Sequence, residues 1–556
     1  MKKLSKFKKL DFILAGLIGL GIFLFIFNTS HLIGFVRDEG FYMKAASIKA
    51  DWFESMEKSF LKGNFLEPFR KATIDKHFKY NREHPTLMKN LFGFSQYLFH
   101  NKLGWLSFAD SARLVAAFFA MLTSMLIYLF GFKFFNRFTA VVSSLMFFLM
   151  PHIFFHSHLA CFDVPILFFW TGTFVLYALY LVDRKFKTAL VTAVFFGFSM
   201  AVKHNVFFIP VVLAPLWFIM YLIKYRKYPG WKGVKGFFKS IPIVFWLFVF
   251  VSLPVYFSQW QWIWYDTIDR FVWYFNFHAR HVNYTNYYFG QELARGPFPI
   301  SFPWGMTFFT TPVIHLIFFI AGIYLFLERT VKEKEWRMKE IYLSFFIGAL
   351  FPIALISHPD VVIFGGIKHW FTGYPLMMTA GVFVVLEGCN AIFKKYLPDF
   401  VKPSVVTAAL FVMAVIALVP LNVKFAKRGP AFFNELIGGA QGAAEIRMQR
   451  NFWGYDILDL VPVLNNTAPE GSVVYVMGGY EGLNWNSFQF LKKEGIIRPD
   501  IRGTNNLRNA DFAFFFYEKQ NEHIMNEIGM EFKTLKPLAV TETDSVFYSA
   551  LFRRGE

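Results

Sequence analysis

Carboxylate side chains stand at the ends of apolar runs in this sequence, where they could take part in chemistry. Asp38 and Glu39 follow directly after the first apolar run, and Asp163 stands between two later runs. If these runs cross a membrane, such carboxylates are costly unless they are solvated or functional. A carboxylate within hydrogen-bond reach of a substrate hydroxyl can act as a general base. The structural alternative is that Asp38 and Glu39 only cap the next helix.

Two cationic side chains have similar positions. Lys203 lies between two apolar runs, in GFSMAVKHNVFFIP, and Arg113 lies at the start of another, in DSARLVAAFF. A lysine at membrane depth is a candidate functional residue, and a lipid phosphate would be its natural partner. An arginine at a membrane edge either binds an anion or extends its head group to the surface. Both interpretations remain open for Arg113.

Histidine and aromatic residues near these runs could contact a substrate or a metal. His84 precedes a proline in a long polar loop, and His281 and Tyr288 lie in an aromatic-rich loop. Aromatic rings in such a loop suit either interface anchoring or stacking on a sugar. The HSH stretch at 156–158 and Asp163 could bind a metal, but no fourth ligand is evident. We therefore expect no metal or other cofactor, with a divalent cation as the alternative.

The elements that must position these residues are membrane helices. The chain of 556 residues is 55% hydrophobic and 17% charged, with 77 Phe and a mean hydropathy of +0.40. A soluble protein carries about 25% charged residues. Runs of roughly 20 apolar residues can cross a bilayer. The predicted spans are 11–29, 112–131, 138–155, 164–182, 188–202, 206–223, 241–257, 305–327, 341–357, 370–388 and 404–421.

The net charge of +19 follows the pattern of a membrane topology. Lys and Arg are concentrated at the N-terminus and in alternate short loops, whereas the loop 258–303 has only Arg270, Arg280 and Arg295. Basic loops stay on the cytoplasmic side. The charge is therefore topological, and no nucleic-acid partner is expected, because such a partner needs one basic patch.

The segments 30–111, 258–303 and the tail then lie outside the cytoplasm. An amphipathic helix predicted over 40–60 suits the membrane interface. In the tail, 473–479 and 510–519 have strand patterns and 518–532 has a helix pattern. We predict a transmembrane domain over 1–425, with interfacial helices in the loop 30–111, and an extracytoplasmic α/β domain over 426–556.

Together these residues resemble the GT-C superfamily of membrane glycosyltransferases, and within it glycosyltransferase family 39, the protein O-mannosyltransferase and lipid A aminoarabinose transferase group. The likeness covers roughly residues 1–390 and consists of motifs in the family's order. The motifs are Asp38-Glu39, His84-Pro85, Arg113, Asp163-Val164-Pro165, Gly197 to Lys203, Tyr288-Phe289-Gly290 to Trp304, and Thr311-Pro312. Residues 432–471 resemble a segment that follows the last span of some bacterial members. The MIR-type insert of eukaryotic members is absent, which does not favour a protein acceptor.

The resemblance implies a GT-C fold of about 11 transmembrane helices and inverting transfer of a monosaccharide from a polyprenyl-phosphate donor. It implies Asp38 as the general base, with Glu39 and Asp163 orienting the site. It further implies that Arg113 and Lys203 hold the donor phosphate. The expected substrate contacts are His84 and Tyr288, which belong to these motifs, and His281 in the aromatic-rich loop.

The partners expected from this reading are the lipid-linked sugar, membrane lipid and an acceptor that is a lipid, a glycan or a protein. The expected location is a bacterial inner membrane, with the site facing the periplasm. The alternative function is a transporter or flippase of a lipid-linked substrate, although transporters often show internal repeats and the sequence has none. A scaffold protein would leave the ordered acidic and basic residues unexplained.

Overall fold

The protein is a polytopic helical membrane protein with a small α/β unit at its C-terminal end. A computed structural model describes residues 4–223, 233–280, 282–478 and 485–555. Within these ranges, eight helices are long and apolar enough to cross a membrane. They are Lys9–Leu32, Phe108–Phe134, Asp163–Asp183, His204–Ile223, Val313–Lys332, Trp336–Ile356, Phe371–Tyr396 and Pro403–Ala431.

Three further predicted spans are present in altered form. Arg137–Leu149 and Pro151–Ser157 form a bent pair at 80°, and Gly233–Ser240 and Ile243–Gln259 form another at 69°. The helix Phe186–Met200 is apolar but has only 15 residues. Counting each bent pair as one span gives ten full-length spans. The eleven predicted segments therefore all correspond to helices, although not all to uninterrupted spans.

Prolines account for two departures from the predicted spans. The span predicted over 138–155 breaks before Pro151. The span predicted over 305–327 is instead two helices, Phe302–Thr310 and Val313–Lys332, with Pro312 between them. Proline has no backbone N–H and its ring clashes with the preceding turn, so a helix ends or bends there. The length and hydrophobicity of the apolar runs alone did not predict these interruptions.

The loop after the first span is mostly helical. Its helices are Arg37–Leu61, Lys71–Phe78 and Leu87–Ser95. The helix predicted over 40–60 is thus present and begins at Arg37, which places Asp38 and Glu39 in its first turn. The loop before residue 303 contains the helix Thr267–Ala279 and a hairpin of β1 (Asn286–Tyr288) and β2 (Gln291–Leu293), which the sequence did not predict.

The C-terminal part of the chain contains a five-stranded sheet. Its strands are β3 (Val473–Val476), β4 (Arg502–Thr504), β5 (Phe512–Phe516), β6 (Ala539–Thr543) and β7 (Val546–Arg553). The strand order is β4-β3-β5-β7-β6, with β3 parallel to both neighbours and β7 antiparallel to both of its own. All five residues of β5 are buried, as expected for a central strand. The helices of this unit are Gly439–Glu445, Val461–Thr467, Trp485–Lys493 and Glu522–Phe532.

The sheet confirms the predicted strands at 473–479 and 510–519 and the helix at 518–532, each in shortened form over the described residues, which do not include residue 479. The unit rests directly on the first helix of the long loop. A Cβ atom on Gly40 would lie 2.9 Å from the Cβ of Asn486, so only glycine allows the two helices to approach this closely. The boundary at residue 425 and the side of the membrane stay predictions.

Alternation of the spans brings the candidate residues to one end of the helical bundle. When the short helix Phe186–Met200 is counted as a crossing and successive crossings alternate in direction, the segments 33–107, 158–162, 201–203 and 357–370 all emerge on the same side. This arrangement positions residues from distant parts of the sequence around one cavity.

Candidate active site

A cavity of about 680 Å³ lies at this end of the bundle. Its polar wall comes from the first turn of the helix Arg37–Leu61, the loop at 81–84, the segment 203–205 and the segment 360–369. The polar and ionisable lining residues are Arg37, Asp38, Tyr42, Asn81, Glu83, His84, Lys203, His204, Asn205, His278, Tyr284, Asp360, Lys368 and His369. Three residues predicted from the sequence, Asp38, His84 and Lys203, are among them.

The other wall of the cavity is apolar. It is formed by side chains from three membrane spans, which include Trp170, Phe208, Phe351, Leu355 and Ile356. A cavity with one polar wall and one wall built from membrane helices fits an amphiphilic ligand, whose apolar part stays at membrane depth.

Asp38 forms an ion pair within the cavity. Its Oδ2 accepts a hydrogen bond from the Nζ of Lys368 at 2.5 Å, and the guanidinium Nε of Arg37 lies 3.7 Å from Oδ1. Burial raises the pKa of Asp38, but the positive charges of Lys368 and Arg37 outweigh burial, so that its pKa lies below the ordinary value. Asp38 is therefore ionised at neutral pH and can accept a proton.

Asp163 and Lys203 form a second ion pair next to the cavity. The Nζ of Lys203 lies 3.3 Å from Oδ1 of Asp163, and Nδ1 of His156 lies 3.3 Å from Oδ2. Asp163 is buried in the first turn of its span, whereas Lys203 lines the cavity. Asp163 thus holds the side chain of Lys203 from outside the cavity, and the ammonium group of Lys203 stays at the cavity surface, where a ligand can reach it.

Glu39 and Arg113 lie outside the cavity lining. This position is compatible with the predicted role of Glu39 in orienting the site, but it does not favour the predicted contact of Arg113 with the donor phosphate. The guanidinium makes five hydrogen bonds: two to the carboxylate of Glu39, both at 2.8 Å, and three to the backbone carbonyls of Ser30, Ile33 and Gly34. An arginine has five N–H donors, so Arg113 has none left for a phosphate. Glu39 also accepts the N–H of Ala160 at 2.9 Å. The ion pair of Glu39 and Arg113 thus connects the start of the long loop to the membrane spans Lys9–Leu32 and Phe108–Phe134.

His84 lies in the cavity wall among aromatic rings. Its ring centroid is 5.8 Å from that of Tyr42 and 5.4 Å from that of Phe162, both in edge-on geometry. Burial, and then the nearby charge of Lys89, lowers the pKa of His84 well below the ordinary value. The ring is therefore neutral, and its buried Nδ1 has no hydrogen-bond partner among the described residues. A neutral imidazole with an unused nitrogen can bond a substrate hydroxyl.

The two predicted contacts in the aromatic loop differ in outcome. Tyr288 is buried away from the cavity, where its hydroxyl donates to the carbonyl of Ser301 at 3.2 Å and its ring packs against Gly305. The aromatic ring thus anchors the hairpin and lies outside the cavity lining. The predicted contact of Tyr288 with the substrate stays a prediction. His281 lies outside the described residues. The neighbouring His278 lines the cavity, with its ring centroid 4.3 Å from that of His204.

Lys368 and His369 are cavity residues that the sequence reasoning did not assign to the site. Both lie in GGIKHW, between two spans, and both line the cavity. Burial, and then the charge of Lys203, lowers the pKa of His369 well below the ordinary value. The signal was available, because Lys368 is the only Lys or Arg in the short segment between Ser357 and Trp370.

Metal binding has no geometric support in the part of the chain that the structure describes. There, no group of three or more His, Cys, Asp or Glu side chains is arranged to hold a metal ion. His156 faces Asp163 but His158 turns to Thr29, with its Nε2 2.8 Å from the Thr29 hydroxyl. The HSH stretch therefore does not converge on one point. Metal independence itself stays a prediction.

Comparison with known proteins supports the family resemblance. Residues 83–256 match the family described as dolichyl-phosphate-mannose-protein mannosyltransferase. This match confirms the resemblance to family 39 glycosyltransferases that the sequence motifs indicated. No curated protein matches the chain.

Two solved structures are similar in outline. ArnT from Cupriavidus metallidurans bound to undecaprenyl phosphate is 14% identical, with 96% of this chain and 97% of that chain covered and a TM-score of 0.46. The Archaeoglobus fulgidus oligosaccharyltransferase in its apo form is 11% identical, with 91% and 69% covered and a TM-score of 0.47.

Proposed function

We propose that this protein is a glycosyltransferase that moves a monosaccharide from a polyprenyl-phosphate donor to an acceptor hydroxyl at the membrane surface. The observation that carries the proposal is the single cavity that joins the carboxylate of Asp38 to the ammonium groups of Lys203 and Lys368 and to an apolar wall of membrane helices. The family match over residues 83–256 supports the same reaction class.

The reaction needs a base, an anion site and an apolar surface. The acceptor oxygen attacks the anomeric carbon, the bond from that carbon to the phosphate oxygen breaks, and the phosphate leaves with the bonding electrons. The proton of the acceptor hydroxyl passes to the carboxylate of Asp38, which is ionised and lines the cavity. By the family resemblance, the anomeric configuration is inverted.

Lys203 is the proposed partner of the donor phosphate. Its ammonium lines the cavity, and its one described anionic contact is Asp163 at 3.3 Å, longer than a typical charge-assisted hydrogen bond. As the phosphate departs, its negative charge grows, and a fixed cation stabilises that charge most in the transition state. In this proposal Lys203 binds the phosphate without Arg113, because all five N–H donors of the Arg113 guanidinium already bond Glu39 and backbone carbonyls.

His84 is the proposed sugar contact. Its imidazole is neutral, buried and adjacent to the ring of Tyr42. A sugar hydroxyl could donate to the unpaired Nδ1. Asp163 keeps Lys203 in place, and Glu39 keeps the first turn of the Asp38 helix in place through Arg113. In this proposal both carboxylates orient the site without touching substrate.

The cavity is proposed to face the extracytoplasmic side of a bacterial cell membrane. The basic N-terminus and alternate basic loops support this orientation, because lysine and arginine hold loops in the cytoplasm. The acceptor is proposed to be a lipid, a glycan or a protein hydroxyl that reaches the cavity from outside. The reaction is proposed to need no metal.

The proposal is tested by incubating the purified protein with radiolabelled polyprenyl-phosphate sugars, one sugar at a time, together with a membrane extract as the acceptor source. Release of free polyprenyl phosphate with labelling of an acceptor supports the proposal and identifies the donor. Movement of an intact lipid-linked sugar across sealed vesicles, with no release of polyprenyl phosphate, would instead favour the transporter alternative.

A further inference from the structure

A turn of the C-terminal part of the chain reaches the ion pair of Asp38. The Nζ of Lys368 lies 4.3 Å from the centroid of the Trp453 ring and 2.5 Å from Oδ2 of Asp38. The ammonium is thus held between an aromatic face and a carboxylate. Attraction between a cation and a tryptophan face is strongest where water is excluded, and both Lys368 and Trp453 are buried.

The backbone of Trp453 contacts the helix that carries the carboxylate. Its carbonyl accepts the N–H of Arg37 at 3.1 Å, and Arg37 is the first residue of the helix that presents Asp38. Trp453 has a φ of +83°, which is rare for a bulky residue. Such a conformation persists only where the surrounding structure determines it, and it clusters at functional sites.

The loop before Lys368 leaves room for this turn. A Cβ atom on Gly365 would lie 2.6 Å from Cε of Lys368 and 3.2 Å from Cζ2 of Trp453. A Cβ atom on Gly366 would lie 2.6 Å from the ring of Phe452. Both glycines also have positive φ, so no other residue fits without strain. The two loops are therefore complementary in shape at the lysine.

The indole contributes its ring and not its N–H. Trp453 is 2% exposed, and its Nε1 has no hydrogen-bond partner in the described part of the chain. A buried donor without a partner costs free energy. The contacts that offset this cost include those of the indole with the ammonium of Lys368 and with the ring of His156, whose centroid is 5.4 Å away in edge-on geometry.

We propose that Trp453 is a positioning residue of the reaction centre: its ring keeps the ammonium of Lys368 on Asp38, so that the C-terminal segment completes the site that the membrane helices begin. The consequence for catalysis rests on the proposed function, but the ion pair itself can be measured without substrate. The other charges that act on the pKa of Asp38 are those of Arg37, which lowers it, and Asp163, which raises it.

The test measures the protonation of Asp38 in the purified full-length protein. A hydrophobic carbodiimide adds to a protonated carboxyl group, with the acid proton moving to nitrogen and a stable acylurea forming. Mass spectrometry then gives the modified fraction of Asp38 at each pH. Lys368→Met is the reference and should move the midpoint upward by about one to three pH units, the range for loss of an adjacent cation.

Trp453→Leu should move the midpoint in the same direction, by at least half of the Lys368→Met shift, and Trp453→Phe should move it less because a ring remains. Tyr455→Leu is the matched control, since Tyr455 belongs to the same buried cluster but its closest described ring contact is Phe155 at 4.8 Å. This control should leave the midpoint unchanged.

A wild-type midpoint in Trp453→Leu would overturn the proposal, and so would an equal shift in Tyr455→Leu, because loss of packing alone would then explain the result. If Trp453→Leu does not fold, an unchanged midpoint in Trp453→Phe with an unchanged rate of modification also overturns it. Absence of glycosyl transfer in the wild-type protein would reject the proposed function and leave this measurement intact.

Discussion

Replacing Arg113 by methionine tests whether this residue supports the fold or binds the donor. The substitution removes five hydrogen bonds and leaves the carboxylate of Glu39, which is 0% exposed, with the N–H of Ala160 as its remaining described partner. Breaking a buried ion pair by removing one partner costs about 3–5 kcal/mol. We expect the free energy of unfolding to fall by about this amount.

The assay is a denaturant titration of the purified protein in detergent, followed by tryptophan fluorescence. Lys102→Met is the control, because the ion pair of Lys102 with Glu57 is largely exposed and contributes about 0–1 kcal/mol. The double variant Glu39→Met with Arg113→Met should be less destabilised than the sum of the single variants, by about 1–3 kcal/mol. An unchanged free energy of unfolding together with a raised donor KM would refute this reasoning and return Arg113 to the phosphate.

Two further predictions concern the cavity. Lys203→Met should lower kcat/KM for the donor by about 100-fold, because one fixed charge at the departing phosphate is lost. Lys203→Arg keeps the charge and should recover part of this loss. Steady-state kinetics of both variants check the prediction, and an equal loss of kcat/KM in both would argue against a role for the charge. The pKa of His84 is lower in the folded protein than in the unfolded chain, where it is about 6.5. Below pH 6.5 the unfolded chain therefore binds a proton at His84 that the folded protein does not bind. The free energy of unfolding consequently falls as the pH falls. His84→Gln should reduce that slope by up to about 1.4 kcal/mol per pH unit between pH 6 and 5, and unfolding titrations at several pH values would contradict this if the slope is unchanged.

The membrane helices could be predicted because their signal is local. Each span is a run of apolar residues long enough to cross a bilayer, and the bilayer requires nothing else of the sequence. Asp38 and Lys203 could be predicted for the same reason, since each lies close to the end of such a run. His84 lies in the long loop and was predicted from the family resemblance instead. Their convergence on one cavity follows from the alternation of the spans.

The pairing of side chains could not be predicted, because it depends on packing between distant segments. Arg113 and Glu39 are 74 residues apart, and nothing in either motif indicates that Glu39 accepts hydrogen bonds from the Arg113 guanidinium. Lys368 is 330 residues from Asp38, and Trp453 comes from a different part of the fold again. The family resemblance brought Arg113 and Tyr288 into the predicted site, whereas the hydrogen bonds of both place them in its supporting structure.

The central claim is that Asp38 takes the proton of the acceptor hydroxyl. Its most direct test is the turnover of Asp38→Asn, measured with the identified donor and acceptor and compared with the turnover of the wild-type protein. Asp360→Asn is the control, because Asp360 also lines the cavity but is exposed and has no proposed role in the reaction. A carboxamide cannot accept that proton, so kcat should fall by about 10²–10⁴-fold, with donor affinity retained and Asp360→Asn close to wild type. Turnover of Asp38→Asn near the wild-type rate would contradict the account.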